Sequence, residues 1–366
     1  MPQVIPTWEL LVTSRLTGGR ETGPELETLP EELLAALSKF LFIGKDCTEQ
    51  GDVNKENMEQ LGNIVKCLTI VCLNTHNIPL VASMDFVAHI TQLNNILLQQ
   101  LMEMESTFFS NKVHSAVSNN NLRTSIIAFI VESCHFLETL YDPLLRWRAY
   151  LCGKENPSLQ EQEQSPVSVH PETIPFLYES FETALVDCFP ELAHQMLTIF
   201  GAIISGARHN AVKVISPATS KMLLKTVRDS ETSQEIHIIA IYCSARSIQI
   251  LHETPMEERQ LDIVMLLDQY QQILLSLTSK KEACLATLIE GIALLSRTLE
   301  VKNSAELQEQ FARQGLIGNL MRTMEESRLP PEQKRTLIPV VISRISVLLR
   351  GCSFAQSQME KDDGYR

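Results

Sequence analysis

From Pro30 onward, apolar positions recur every three or four residues almost without pause, the period of an α-helix with one greasy face. This pattern predicts a short helix from Pro30 to Gly44, a polar loop over 45–55, and helices over 56–75, 84–105 and 119–141. It fails over 153–169, "GKENPSLQEQEQSPVSV", where Gln, Glu, Ser and Pro leave almost nothing to bury. The main subdivision is placed there, between a helical-repeat segment over 30–152 and a second over 170–352. Residues 1–29 read as poorly ordered or as a short helix, and 353–366, "SFAQSQMEKDDGYR", as a frayed tail.

The second segment is the more regular. Thr232-Ser-Gln-Glu235, Thr254-Pro-Met-Glu257 and Ser279-Lys-Lys-Glu282 have the form of capping boxes. In such a box a hydroxyl accepts from the N–H three residues on and a Glu reaches back. Asn303 to Glu306 and Pro330-Pro331-Glu332 continue the rhythm, so predicted helix starts fall near 232, 254, 279, 303 and 330. A helix of about five turns plus a short loop fills each interval. Leu285, Leu288, Ile292, Leu295 and Leu299 mark the inward face of one helix, and Leu261, Val264, Leu267, Leu274 and Leu277 that of another. In "AELQEQFARQGLIGNLMRTMEES", Gly315 reads as the C-cap between two helices.

Helices this numerous exceed one four-helix bundle, and a single pair cannot cover its own apolar faces. Stacked pairs can. The expected fold is therefore all-α, an armadillo/HEAT-like α-solenoid of stacked antiparallel helices.

Composition narrows the function. The chain has 366 residues, of which 44 % are hydrophobic and only 6 % aromatic, which suits helices better than sheets. Lys and Arg number 31 against 44 Asp and Glu, a formal charge of −13, so a phosphate-tracking surface is not expected and nucleic acid is excluded as a partner. The nine cysteines are odd in number, form no Cys-x-x-Cys, and mostly sit on apolar stretches, as buried thiols in a reducing compartment would. The longest apolar run, Gln195 to Ala207, falls well short of the roughly 20 residues a membrane span requires.

Candidate chemistry is sparse. Gly44-Lys45 and Gly153-Lys154 lack the remainder of a phosphate loop. Glu132/His135 and Glu191/His194 are two Glu-x-x-His pairs, the spacing that places both side chains on one helix face. Di-iron bundles use two such pairs. Pairs of this kind also arise by chance in a chain with this much Glu, so no metal or cofactor is assigned. His237 in "EIHIIAIYC" reads as a core histidine, and Cys67 and Cys72 as inert buried thiols.

The remaining feature is "LYDPLLRWRAY", residues 140–150. Asp142-Pro143 ends one helix and opens another, since Asp caps and Pro suits a first turn. Trp147, between Arg146 and Arg148 and followed by Tyr150, is either a buried corner anchor or a partner-binding hot spot. The anchor is the favoured reading, because large aromatics are usually buried.

This stretch resembles the N-terminal region of the neurobeachin-like BEACH-domain proteins, which carry a Leu-Phe-Asp-Pro turn followed by Trp-Arg. Leu140, Asp142, Pro143, Trp147 and Arg148 match that motif, Tyr141 replaces its Phe, and Ala149 departs from a basic residue. "FLYESFETALVDCFPELAHQMLTIFGAIISGA", with Glu179-Ser180, is similar to that family's next helices, and "AVKVISPATSKMLLKTVRDS" to the segment after them. The likeness runs from about residue 58 to about 325 and leaves out residues 1–50.

The resemblance implies an armadillo-like solenoid that acts as a scaffold in vesicle trafficking and in granule or receptor sorting. It also implies an N-terminal piece or short isoform, because the lectin-like, PH-like, BEACH and WD40 regions of that family have no counterpart here. The expectation is a cytoplasmic, non-enzymatic interaction protein. It would bind other proteins and need no cofactor, and would meet endomembranes peripherally through those partners. Two alternatives stand beside it: a helical metalloenzyme built on the two Glu-x-x-His pairs, and a regulatory subunit of another complex.

Overall fold

The computed structural model describes residues 31–49, 53–74, 77–82, 86–110, 116–142, 167–169, 173, 189–229, 234–259, 261–279, 288–289, 291–293, 298–299, 304–326 and 329–361. Among these residues every regular element is a helix. The all-α expectation is therefore met. The chain divides into two compact units, Met1–Leu185 and Val186–Arg366.

In the first unit α1 spans Glu31–Glu49, α2 Lys55–Cys72, α3 Ile78–Ala82, α4 Phe86–Ser110 and α5 Ala116–Tyr141. Asn54 starts α2, its side-chain oxygen accepting from the Asn57 N–H at 2.9 Å. Met58, Leu61, Ile64, Val65, Leu68, Val71 and Cys72 of α2 are buried, a stripe at helical spacing. At its C-terminus the Asn77 side-chain amide donates to the Val71 carbonyl at 3.0 Å, satisfying an acceptor the helix leaves open. α1 packs on α2, α4 on α5, α1 on α4 and α2 on α5. Each long helix thus meets its neighbour in sequence and its counterpart in the other pair. Phe40 of α1 lies 4.6 Å from Phe86 of α4 and 6.4 Å from Phe129 of α5, ring to ring, and Phe86 meets Phe136 edge-on at 6.1 Å.

α1 does not end at Gly44 as its glycine suggested. It runs on to Glu49, because Ile43, Gly44 and Cys47 are buried and hold the extra turn. Residues 45–49 of the expected 45–55 loop are therefore helix, and Lys55 opens α2.

In the second unit α6 spans Pro190–Ser205, α7 Arg208–Val214, α8 Pro217–Asp229 and α9 Gln234–Glu253. A 3-10 turn over Met256–Glu258 leads to α10, Ile263–Ser279. α11 covers Ser304–Arg313, α12 Leu316–Glu326, α13 Pro331–Leu349 and α14 Ser353–Lys361. α9 is the hub, packed against α6, α7, α8 and α10. Residues 239–251 within it are buried without interruption, including Ser244, Arg246, Ser247 and Gln249. Some of these polar groups find partners within the helix itself. Arg246 Nη1 donates to Gln249 Oε1 at 2.8 Å, and Ser247 Oγ donates to the Cys243 carbonyl at 2.8 Å. Beyond α9 the contacts pass in chain order from α10 to α12 and from α12 to α13.

Gly315 is the C-cap expected of it: its φ of 79° is left-handed, and its N–H donates to the Ala312 carbonyl at 2.9 Å. The starts near 303 and 330 are also met, at Ser304 and Pro331. The box at Thr254 is not. The Thr254 hydroxyl donates backward to the Ile250 carbonyl at 2.6 Å, and the next α-helix waits until Ile263. Asp262 caps that helix, its carboxylate accepting from the Val264 N–H at 3.0 Å. Ser279 is the last residue of α10, and the rest of its box, Lys280 to Glu282, lies outside the described residues. Nor is the tail frayed over its whole length: residues 353–361 form α14, with Ala355 and Met359 buried and Arg313 stacked 4.7 Å above the Phe354 ring.

Candidate interaction surfaces

Leu140, Tyr141 and Asp142 close α5 and are buried. The Asp142 N–H donates to the Glu138 carbonyl at 2.9 Å, and the Tyr141 hydroxyl lies 3.3 Å from the Thr173 hydroxyl. The turn's first half is therefore part of the core of its unit. Pro143, Arg146, Trp147, Arg148 and Tyr150 lie outside the described residues, as do residues 1–29 and 153–166 and the side chains of Thr232 and Leu277.

Glu132 and His135 sit half-buried on α5, in the first unit. His194 is half-buried on α6, in the second, and the Glu191 side chain lies outside the described residues. Among the described residues no three His, Cys, Asp or Glu side chains converge as a metal site would need. His237 is buried in α9. Cys47, Cys72, Cys134, Cys243 and Cys352 are buried free thiols, and Cys67 is half-buried. Burial pushes the Cys72 thiol up to about 12, and burial likewise raises Cys243. Cys134 is raised by burial first and then by the charge of Glu138. A thiol held protonated is neither a nucleophile nor a metal ligand.

A cavity of about 380 Å³ opens between α1 and α4 beside Phe40, Leu41, Gly44 and Leu93, with Lys45, His89 and Gln92 at its rim.

The turn from α9 to α10 presents apolar side chains outward. Met256 is 79 % exposed, Met265 57 % and Val264 38 %. Val264 belonged to the inward stripe by spacing. α10 begins at Ile263, so its inward face is Ile263, Leu266, Leu267, Tyr270, Ile273 and Leu274. Glu257, Glu258, Asp262 and Asp268 around the turn are all exposed. Its one cation, Arg259, faces inward: Nε donates to the Thr254 carbonyl at 2.7 Å and Nη2 to the His252 carbonyl at 3.4 Å. Arg208 donates to the Glu253 carbonyl. Two guanidiniums thus satisfy the open acceptors at the α9 C-terminus, where the helix dipole favours positive charge. The rim is left acidic and the turn is pinned in place.

Exposed apolar residues recur on α13, where Ile338 is 39 % and Ile342 53 % exposed. The sequence carries a signal for both surfaces. In "TPMEERQLDIVM" methionines alternate with acid, and the doublets Leu337-Ile338 and Val341-Ile342 widen an apolar stripe beyond what one contact face needs.

Among the described residues no helix is long and apolar enough to cross a membrane. No protein-family model matches the chain.

Proposed function

We propose that this chain is a non-enzymatic interaction scaffold of BEACH-type vesicle-trafficking or granule-sorting machinery, built as an armadillo/HEAT-like solenoid. The observation that carries the interaction reading is the pinned α9–α10 turn. Met256, Val264 and Met265 are held outward against the hydrophobic effect. Methionine is a side chain that adapts to varied partners. The acidic rim and the chain's charge of −13 select basic amphipathic segments.

An order of elements and a contact pattern support the solenoid. A short helix precedes two longer ones twice, as α3 before α4 and α5, and as α7 before α8 and α9. Counterpart helices of successive pairs also touch, α1 with α4 and α2 with α5, as stacked repeats do. The trafficking assignment rests on the resemblance around Leu140–Arg148, and it places the protein in the cytoplasm, peripheral on endomembranes through its partners.

Proximity labelling in cells with the full chain tests this reading. Enrichment of coat, tether or sorting proteins supports it, and enrichment confined to nuclear or mitochondrial proteins overturns it. In solution, joint Met256→Asp and Met265→Asp substitution is expected to abolish capture of a basic amphipathic peptide without altering the helical circular-dichroism signal.

A further inference from the structure

We propose that the outward face of α13 is a docking surface for an acidic amphipathic helix of a partner protein. The proposal rests on the interaction-scaffold reading but concerns a different face, of opposite charge.

α13 buries Leu337, Val341, Ile345 and Leu348 against its neighbours. Beside that buried face, the helical repeat of about 100° per residue brings Arg335, Ile338, Ile342, Ser346 and Arg350 into one stripe. Ile338 and Ile342 are exposed one turn apart at its centre, and Arg335 and Arg350 are exposed at its ends. The end-to-end span of the stripe is about 22 Å at 1.5 Å per residue. Ser343 and Ser346 are small and exposed, which allows another helix to approach closely. Ser346 Oγ donates to the Ile342 carbonyl at 2.9 Å, so burying it strands no donor.

Charge chooses the occupant. The chain as a whole is strongly acidic, yet 331–350 holds Lys334, Arg335, Arg344 and Arg350 against the single carboxylate of Glu332. Lys334 is committed, its Nζ donating to the Glu325 carbonyl of α12 at 2.9 Å. The cations that frame the isoleucines are Arg335 and Arg350. An acidic helix about four turns long places a carboxylate at each. A second copy of the same face would set arginine against arginine.

A backbone feature points the same way. Pro339 lies inside α13 and is exposed. Having no N–H, it leaves the Arg335 carbonyl without its intrahelical donor. A side-chain amide or hydroxyl of the partner would supply such a donor.

The test is fluorescence polarisation of the full chain carrying Met256→Asp and Met265→Asp, which removes the basic-peptide surface of the α9–α10 turn, with two labelled 20-residue helical peptides that share a leucine stripe, one bearing Glu and the other Lys on its flanks. The Glu peptide is expected to bind at least about tenfold tighter, with affinity falling as salt rises. Ile342→Asp, and separately Arg335→Glu with Arg350→Glu, are each expected to weaken it at least about tenfold. Both alter exposed positions, and circular dichroism melting checks that the fold survives. Equal or tighter binding of the Lys peptide overturns the proposal, as does Glu-peptide binding that ignores Ile342→Asp. Cosedimentation with phosphatidylserine vesicles lost on Ile342→Asp assigns the face to lipid and overturns it. Sedimentation showing a dimer dissolved by the same substitution assigns the face to a second copy and also overturns it. Cellular enrichment near endomembranes is read independently, so the wider reading and this face can fail separately.

Discussion

The Tyr270 hydroxyl donates to the Gly291 carbonyl at 2.6 Å, a buried bond between α10 and the helical residues 291–293. Gly291 allows the close approach. A Cβ added there would lie 3.1 Å from Leu274 Cδ2 and 3.3 Å from Ile241 Cδ1, so α9 and α10 both press on it. Gly291→Val is expected to cost about 1–3 kcal/mol by overpacking. Tyr270→Phe, which deletes only the donor, is expected to cost about 1 kcal/mol. Urea unfolding of the two variants ranks them, and a valine variant as stable as the parent would contradict the packing described.

Gly62 is the opposite case. It lies inside α2, and a Cβ there meets nothing within 4 Å. Gly62→Ala is expected to stabilise by about 0.5–1 kcal/mol through helix propensity alone, seen as a higher thermal midpoint.

The aromatic cluster of the first unit concentrates on Phe40, fully buried between Phe86 and Phe129. Phe40→Ala is expected to cost about 3–5 kcal/mol and Phe40→Leu markedly less, since leucine refills most of the volume. Denaturant midpoints of the two variants give the comparison.

The thiols carry a pH dependence whose sign is fixed. Cys72 binds its proton more tightly folded, at about 12, than in the unfolded chain near 9.0. Its contribution to stability is complete below pH 9 and is lost as pH rises from there toward 12. Stability is accordingly expected to fall on alkaline titration above pH 9. At pH 8, Cys72, Cys134 and Cys243 should react with a thiol reagent only as fast as the protein opens, and denaturant should abolish the protection.

Helix existence was legible in the sequence where periodicity ran long, as in α2, α4 and α5, because burying one face alone demands the repeat. Ends were less legible. A Thr-x-x-Glu motif can accept forward as a cap or donate backward to the previous turn, and spacing does not distinguish them. At Thr254 the backward bond won, with Arg259 taking the carbonyls a cap would have left open. α1 outran its glycine because burial of Cys47 outweighed local preference. α14 was hidden because Ala355, Met359 and the Arg313–Phe354 stack look like scattered residues until α11 is set beside them. The outward Met256, Met265, Ile338 and Ile342 are not legible from spacing for a related reason: a stripe announces that something must be covered, but not whether this chain covers it.

One consequence of α9 concerns how the second unit comes apart. Linear arrays whose members touch only adjacent members can fray from an end, losing one module at a time. α9 has no dry-dock side from which it can slide out, since α6, α7, α8 and α10 all close upon it. Amide exchange along 239–251 should therefore match the slowest in the unit, and those five helices should melt as one event while α13 and α14 loosen earlier.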